Sequence, residues 1–169
     1  MQKIGLVSIL FFPILIIDTL TKYLVSRGLP LIDEFPFSYP YGGLKGFYQW
    51  FGIDFCLVHA ANKGAAWGWL SAYQLPLLGF RLIAFIFLIL YIKRLKKEDK
   101  EVFSLTLVSA GALGNILDYF IYGHVVDMFY FKFFTYSYPI FNVADISIFL
   151  GSASFIFFQV FSSKKRVAK

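Results

Sequence analysis

Long runs of apolar residues alternate with short polar segments along this chain of 169 residues. The runs cover about 4–25, 75–92, 102–121 and 144–161. A helix needs roughly 20 apolar residues to cross the hydrocarbon core of a bilayer. The pattern therefore predicts an all-α membrane protein, a four-transmembrane-helix bundle that forms a single domain over residues 1–169.

The segments between the runs predict the topology. The segment 93–101 is short and rich in Lys and Arg, as cytoplasmic loops are. Both termini then lie on the cytoplasmic side, and residues 26–74 and 122–143 are extracytoplasmic. Aromatic and β-branched residues dominate 47–62, which predicts a small extracytoplasmic β element. The aromatic residues of 122–143 predict an interfacial loop or helix in the headgroup region.

Composition and charge support the membrane class. Hydrophobic residues make up 59% of the chain and charged residues 15%, whereas a soluble domain carries about 25% charged residues. The net charge of +6 comes largely from clusters at the ends of the apolar runs. This placement favours orientation in the membrane and contact with anionic lipid over binding of nucleic acid, which needs a basic face interleaved with aromatic residues.

Few residues offer ligands for a metal. Cys56 is the single cysteine, which excludes an intramolecular disulfide and any multi-cysteine zinc site. His59 and His124 have no partner ligands at metal-binding spacing. We expect no metal and no other cofactor.

Polar residues inside or beside the apolar runs concentrate in one layer. A charged residue in the middle of a span costs about 2.5–3.5 kcal/mol on insertion scales and marks a functional site by default. The predicted topology brings the following residues to the extracytoplasmic ends of the spans: Asp18, Lys22, Asn62, Asn115, Asp118, Asp127, Asn142 and Asp145. A shared layer of this kind indicates a site.

Local spacing relates some of these residues to one another. Asp18 and Lys22 are four apart, so they share a helix face and can pair. Gly111, Asn115 and Asp118 follow one face of the third run, where glycine also allows close helix contact. These groups either build a site or only join the helices by interhelical hydrogen bonds.

Asp127 and Asp145 have no cationic neighbour in helical register. Two carboxyl groups that lie close together share a proton, because both cannot ionise easily. One can then take a proton from water while the other donates to a carbonyl oxygen, which cleaves an amide without a covalent intermediate.

A helix-capping role is the structural alternative for these two carboxyl groups. A proton or ion transporter is the alternative function, since such proteins also use intramembrane carboxylates, and a structural partner of a larger complex is another.

Five short motifs resemble, in order, those of the lipoprotein signal peptidase family, also called signal peptidase II. They are D-T-L-T-K at 18–22, N-K-G-A-A-W-G at 62–68, G-A-L-G-N-I-L-D at 111–118, G-H-V-V-D at 123–127 and F-N-V-A-D at 141–145. Each motif alone is modest, but five in order on four spans are specific. The resemblance covers nearly the whole chain.

The resemblance implies an aspartic endopeptidase of the bacterial inner membrane. Such an enzyme removes the signal peptide from a diacylglyceryl-modified prolipoprotein and cleaves before the lipidated cysteine. The family's catalytic pair corresponds to Asp127 and Asp145. Its substrate-binding or supporting positions correspond to Asp18, Lys22, Asn62, Gly64, Asn115 and Asn142. The diacylated prolipoprotein and membrane lipids are the expected partners of a monomer. The resemblance also implies a β-cradle in 26–66 and a mobile interfacial helix before Asn142.

The chain departs from the family pattern at three positions. Trp67 and Met128 stand where the family usually has Phe, and Tyr119 follows Asp118 where it usually has Arg. The last change matters most, because a guanidinium offers several fixed donors and a permanent charge. The Tyr119 hydroxyl or the side chain of Arg81, His124 or Lys132 is available to compensate. Arg81 can alternatively extend its charge to the membrane boundary.

Overall fold

A computed structural model describes residues 3–35, 38–64, 73–96 and 100–167. Its four helices are α1 (Lys3–Gly28), α2 (Gln74–Arg94), α3 (Glu101–Tyr122) and α4 (Val143–Val167). Each contains a segment long and apolar enough to cross a membrane. The expectation of four apolar helices is confirmed. Trp67 lies outside the described residues.

Helix α3 is the central element of the helical part. Eleven of its 22 residues are buried, and it packs against each of the other three helices. Gly111 and Gly114 permit close approach: a Cβ on Gly111 would collide with the Ala144 carbonyl, and one on Gly114 with the Asp18 carboxylate. Buried hydroxyl groups also join α3 to α4. Ser147 Oγ donates to the Leu107 carbonyl at 2.8 Å.

The outward faces of the helices remain apolar. Phe80, Phe87, Phe149 and Ile156 are more than half exposed in the isolated chain. A helix satisfies its own backbone hydrogen bonds, so an apolar outer face of this kind suits a lipid environment.

Four antiparallel strands form one sheet. They are β1 (Leu44–Trp50), β2 (Ile53–Asn62), β3 (Val125–Phe133) and β4 (Tyr136–Ser137), in the order β1-β2-β3-β4. A short 3-10 helix, Ile32–Glu34, precedes β1. The predicted β element at 47–62 is confirmed as the β1–β2 hairpin. Met128 and Val126 of β3 pack on Val25 of α1 and so hold the sheet against the helices.

The expectation of an interfacial loop or helix at 122–143 is wrong in its helical part. This segment contains β3 and β4, and its described residues include no helix before α4 begins at Val143. The run of β-branched and aromatic residues in V-V-D-M-F-Y-F-K-F favours a strand. Gly123 ends α3 in a left-handed conformation with φ of 76°, and the chain then turns into β3.

Candidate active site

Asp127 reaches its place through the register of the sheet. In the β2–β3 ladder Ala60 lies opposite Asp127, and Asn62 lies opposite Val125. This register brings Asn62 close enough to donate from Nδ2 to Asp127 Oδ2 at 2.9 Å. The backbone N–H of Gly64 donates to Asn62 Oδ1 at 3.0 Å, which turns the Asn62 amide nitrogen toward the carboxylate.

Asp145 stands in the first turn of α4, where Asn142 is the N-terminal cap. Asn142 Oδ1 accepts from the backbone N–H of Asp145 at 2.9 Å. The backbone N–H of Asn142 donates to Asp145 Oδ2 at 3.2 Å. This reciprocal pair is a capping box. The capping role considered for the carboxyl groups is therefore present at Asp145.

The same Asn142 side chain also contacts the other carboxylate. Its Nδ2 donates to Asp127 Oδ1 at 2.7 Å. Asn142 thus bridges Asp127 and Asp145. Asn115 completes the arrangement from α3, because its Nδ2 donates to Asp145 Oδ1 at 2.9 Å.

A buried cation lies behind these amides. Lys22 is fully buried, and its Nζ lies 2.7 Å from Asp18 Oδ2 and 2.8 Å from Asp118 Oδ2. It also donates to Asn115 Oδ1 at 3.0 Å. The predicted pairing of Asp18 with Lys22 is confirmed. Asp118 is the residue that sequence reasoning placed in the layer without a role, although its spacing from Gly111 and Asn115 had marked its helix face.

The two buried aspartates next to Lys22 also fix neighbouring elements. Asp18 Oδ1 accepts from the backbone N–H of Ala144 at 2.8 Å, at the start of α4. Asp118 Oδ2 accepts from the backbone N–H of Val126 at 3.1 Å, at the start of β3. These contacts join α1, α3, α4 and the sheet. For Asp18, Lys22 and Asp118 the structure therefore shows interhelical bracing.

The predicted site residues fall into two groups around a cavity of about 1020 Å³. Asn62, Gly64, Asn115, Asp127 and Asp145 line its wall. Asp18, Lys22 and Asn142 stand behind them and reach the wall through hydrogen bonds. Two of the predicted site residues on the wall are acidic, Asp127 and Asp145, and the layer behind the wall sets their geometry; Asp33 also lines the cavity.

The environments of the two carboxyl groups differ. Asp127 is 2% exposed, whereas Asp145 is only half-buried. Burial and then the nearby charge of Asp145 raise the pKa of Asp127 to about 7, against the donors Asn62 and Asn142. Asp127 is therefore largely protonated below neutral pH. An acid beside an accessible carboxylate is the arrangement that general acid–base chemistry requires.

The residues considered as substitutes for the absent Arg take different positions. Arg81 and His124 line the main cavity. Tyr119 lies in an adjoining crevice that Arg81, His124 and Asn62 also line. Lys132 instead lies opposite Asp54 in the β2–β3 ladder. Among the described residues, no group of three His, Cys, Asp or Glu side chains is arranged to hold a metal ion.

Comparison with known proteins identifies the family of the chain. The sequence model of the family described as "Signal peptidase (SPase) II" matches residues 10–161. The chain belongs to the signal peptidase II family. Membership confirms the resemblance seen in the motifs and the expectation of a protease. It also disfavours the transporter alternative.

Curated relatives of this family carry the name lipoprotein signal peptidase. The protein of Chlamydia felis is 34% identical over 96% of this chain and 94% of its own length. That of Chlamydia muridarum is 38% identical over 84% of this chain and 86% of its own. That of Clostridium acetobutylicum is 32% identical, with 92% and 94% covered.

Two solved structures described as bacterial membrane enzymes share the fold. One matches with a TM-score of 0.81 and 27% identity over 97% of this chain and 93% of its own. The other matches with a TM-score of 0.73 and 28% identity over 92% and 93%. These neighbours and the four apolar helices identify a multi-pass membrane protein.

Proposed function

We propose that Asp127 and Asp145 form the catalytic pair of this family member, which removes signal peptides from prolipoproteins. The observation that supports the pair is the bridge through Asn142. One side chain donates to Asp127 and caps the helix that carries Asp145. Both carboxyl groups line the same cavity.

The difference between their environments supports a separate role for each carboxyl group. In this proposal Asp145 is ionised and takes a proton from a water molecule, which attacks the scissile carbonyl carbon. Protonated Asp127 donates its proton to the carbonyl oxygen, and a neutral diol forms. As the diol collapses, Asp145 gives its proton to the leaving amine and Asp127 recovers one from a diol hydroxyl. Both carboxyl groups return to their starting state.

The supporting residues then act through the pair or on the peptide. Asn115, Asn142 and Asn62 orient the carboxylates by donating to them. Lys22 and Asp18 hold Asn115 and the start of α4 in place. Gly64 fixes the Asn62 amide and presents a cavity wall without a side chain, where an extended peptide can approach closely.

The proposed substrate is a prolipoprotein whose lipobox cysteine carries a diacylglyceryl group, and cleavage occurs before that cysteine. The acyl chains would lie against the apolar outer faces of the helices, because the hydrocarbon environment continues there. The enzyme would act as a monomer, with the substrate and membrane lipids as its partners.

The proposed orientation puts both termini in the cytoplasm and the site at the extracytoplasmic face of the bacterial inner membrane. Lys93 and Arg94 end α2 at the side opposite the site, where positive residues indicate the cytoplasm. Lys22 lies near the end of α1 and Asp145 near the start of α4, so the site occupies the other ends of the spans.

Cleavage of a purified diacylated prolipoprotein tests the catalytic pair. We expect Asp127→Asn and Asp145→Asn each to lower turnover by at least about 100-fold, since each removes one partner of the proton transfer. Asp54→Asn is the matched control, because Asp54 is a buried carboxylate of β2 that accepts from the Gln49 N–H in the sheet. Release of the signal peptide at the wild-type rate by either active-site variant would contradict the proposal.

A further inference from the structure

Arg81 occupies an unusual position in this protein. It lies in α2, about two turns after the helix begins at Gln74, and it is half-buried in the wall of the cavity that holds Asp127 and Asp145. Among the described residues, its guanidinium makes no hydrogen bond and no ion pair. An ionisable residue within a span normally faces a cavity or a partner. Here it faces the cavity that would receive the substrate.

Most other strong donors near the catalytic pair are already engaged. The side-chain amides of Asn62 and Asn142 donate to Asp127, and that of Asn115 donates to Asp145. The Lys22 ammonium is enclosed by its partners behind the wall. A peptide bound at this depth presents carbonyl oxygens that need donors. Arg81 offers five N–H groups in a fixed plane.

The neighbourhood of Arg81 also includes the position where the chain departs from its family. Arg81 and Tyr119 line the same crevice, together with Asn62 and His124. Burial, with His59 and Lys63 nearby, lowers the pKa of His124 below its ordinary value, so its imidazole is neutral at pH 7. Two basic residues line the crevice, the exposed Lys63 and the half-buried Arg81 of α2, and the residue after Asp118 adds no charge.

We propose that Arg81 is a positioning residue that donates to a carbonyl oxygen of the bound prolipoprotein beside the scissile bond. This inference rests on the proposed function of the cavity. The acceptor is a carbonyl of the peptide or an ester carbonyl of the diacylglyceryl group, since both present the same chemistry to a guanidinium. Arg81 thereby aligns the substrate for the pair and takes no part in proton transfer.

Steady-state cleavage of a diacylated prolipoprotein peptide by Arg81→Gln tests this role. We expect KM to rise about tenfold, as for loss of a hydrogen bond from a charged donor, and kcat to change little. The KM of Arg81→Lys should lie between those of the wild type and Arg81→Gln, because an ammonium keeps the charge but not the planar donor set. Arg27→Gln is the matched control, since Arg27 is exposed at the end of α1, over the Tyr23 ring.

A second-site change separates positioning from a structural role. Tyr119→Arg, added to Arg81→Gln, returns a guanidinium to the same crevice. We expect it to reverse most of the rise in KM. Thermal unfolding in detergent is measured for every variant. An Arg81→Gln enzyme with the KM of the Arg27→Gln control would overturn the proposal. So would a KM that Tyr119→Arg leaves unrestored, combined with a lowered unfolding temperature.

A dialkyl ether analogue of the lipid identifies the carbonyl, because it lacks both ester carbonyl oxygens. If Arg81 binds the peptide, Arg81→Gln raises KM equally for ester and ether substrates. If it binds the ester, the increase is confined to the ester substrate. Asp127→Asn and Asp145→Asn are assayed in parallel. If both Asp variants are inactive and Arg81→Gln has the KM of the control, this inference alone is rejected. If the Asp variants are active, the proposed function itself is rejected.

Discussion

At the scale of single residues, Asp127 and Asp145 are held by amides rather than by ion pairs. Every donor that contacts the side chain of Asp127 or Asp145 among the described residues is an amide, from a side chain or the backbone. An amide orients a carboxyl group without holding it fully ionised, as a direct Lys or Arg contact would. Asp127 can therefore carry a proton near neutral pH.

The pH dependence of turnover follows from this environment. Protonated Asp127 is the proposed acid, and its pKa is raised to about 7. We expect kcat to fall as pH rises above 7, by about tenfold per unit once the acid form is minor. Removal of a donor that favours the carboxylate raises this pKa further, so Asn62→Ala should move the alkaline limb to higher pH. Measurement of kcat between pH 5 and 9 for both enzymes checks this, and a pH-independent kcat would contradict it.

At the scale of elements, glycines of α3 let neighbouring groups reach the site. Gly114 is in contact with the Asp18 carboxylate, and Gly111 with the Ala144 carbonyl. These contacts allow Asp18 to reach both Lys22 and the backbone of α4. The close packing of α1, α3 and α4 therefore also determines the geometry of the site.

Replacement of Gly114 tests this dependence. A methyl group there would displace the Asp18 carboxylate, so we expect Gly114→Ala to lower stability by about 1–3 kcal/mol and turnover as well. Gly79→Ala is the matched control: Gly79 also lies in a transmembrane helix, but its added Cβ would meet nothing within 4 Å. Thermal unfolding and cleavage are measured for both. Equal behaviour of the two variants would show that close contact at Gly114 is not required.

Much of this arrangement was predictable from the sequence, and the exceptions have a common cause. The apolar runs predict the four helices, and the β1–β2 hairpin is local enough to show in 47–62. Strand β3 pairs with β2 from some 70 positions further along the chain, so local patterns alone left its segment ambiguous. The bridging contacts of Asn142 and the cavity position of Arg81 likewise depend on how distant elements pack.

At the scale of the whole molecule, charge is separated along the spans. The basic residues Lys93 and Arg94 close α2, while the carboxylates of the site lie at the opposite ends of the helices. In the proposed orientation the basic ends contact the cytoplasmic leaflet, which is negatively charged. The site then opens at the extracytoplasmic face, where the proposed lipidated substrate would reach it.

Labelling of introduced cysteines tests the orientation. Lys96→Cys lies in the exposed region after α2, and Thr135→Cys lies in the exposed turn between β3 and β4. The native Cys56 is fully buried, so we expect it to add little background labelling. In intact spheroplasts, a membrane-impermeant maleimide should label Thr135→Cys at once and Lys96→Cys only after lysis. The reverse labelling pattern would show that the topology is opposite to the proposed one.

The placement of the two carboxyl groups on β3 and α4 also concerns biosynthesis. Asp127 emerges from the ribosome before Asp145, and the latter belongs to the last of the four helices to be made. A nascent chain with three inserted helices holds the proposed acid but lacks its partner and Asn142. Under the proposed mechanism, proteolytic competence begins only after the final helix has entered the bilayer and docked, and a truncated or stalled chain would not hydrolyse neighbouring membrane peptides.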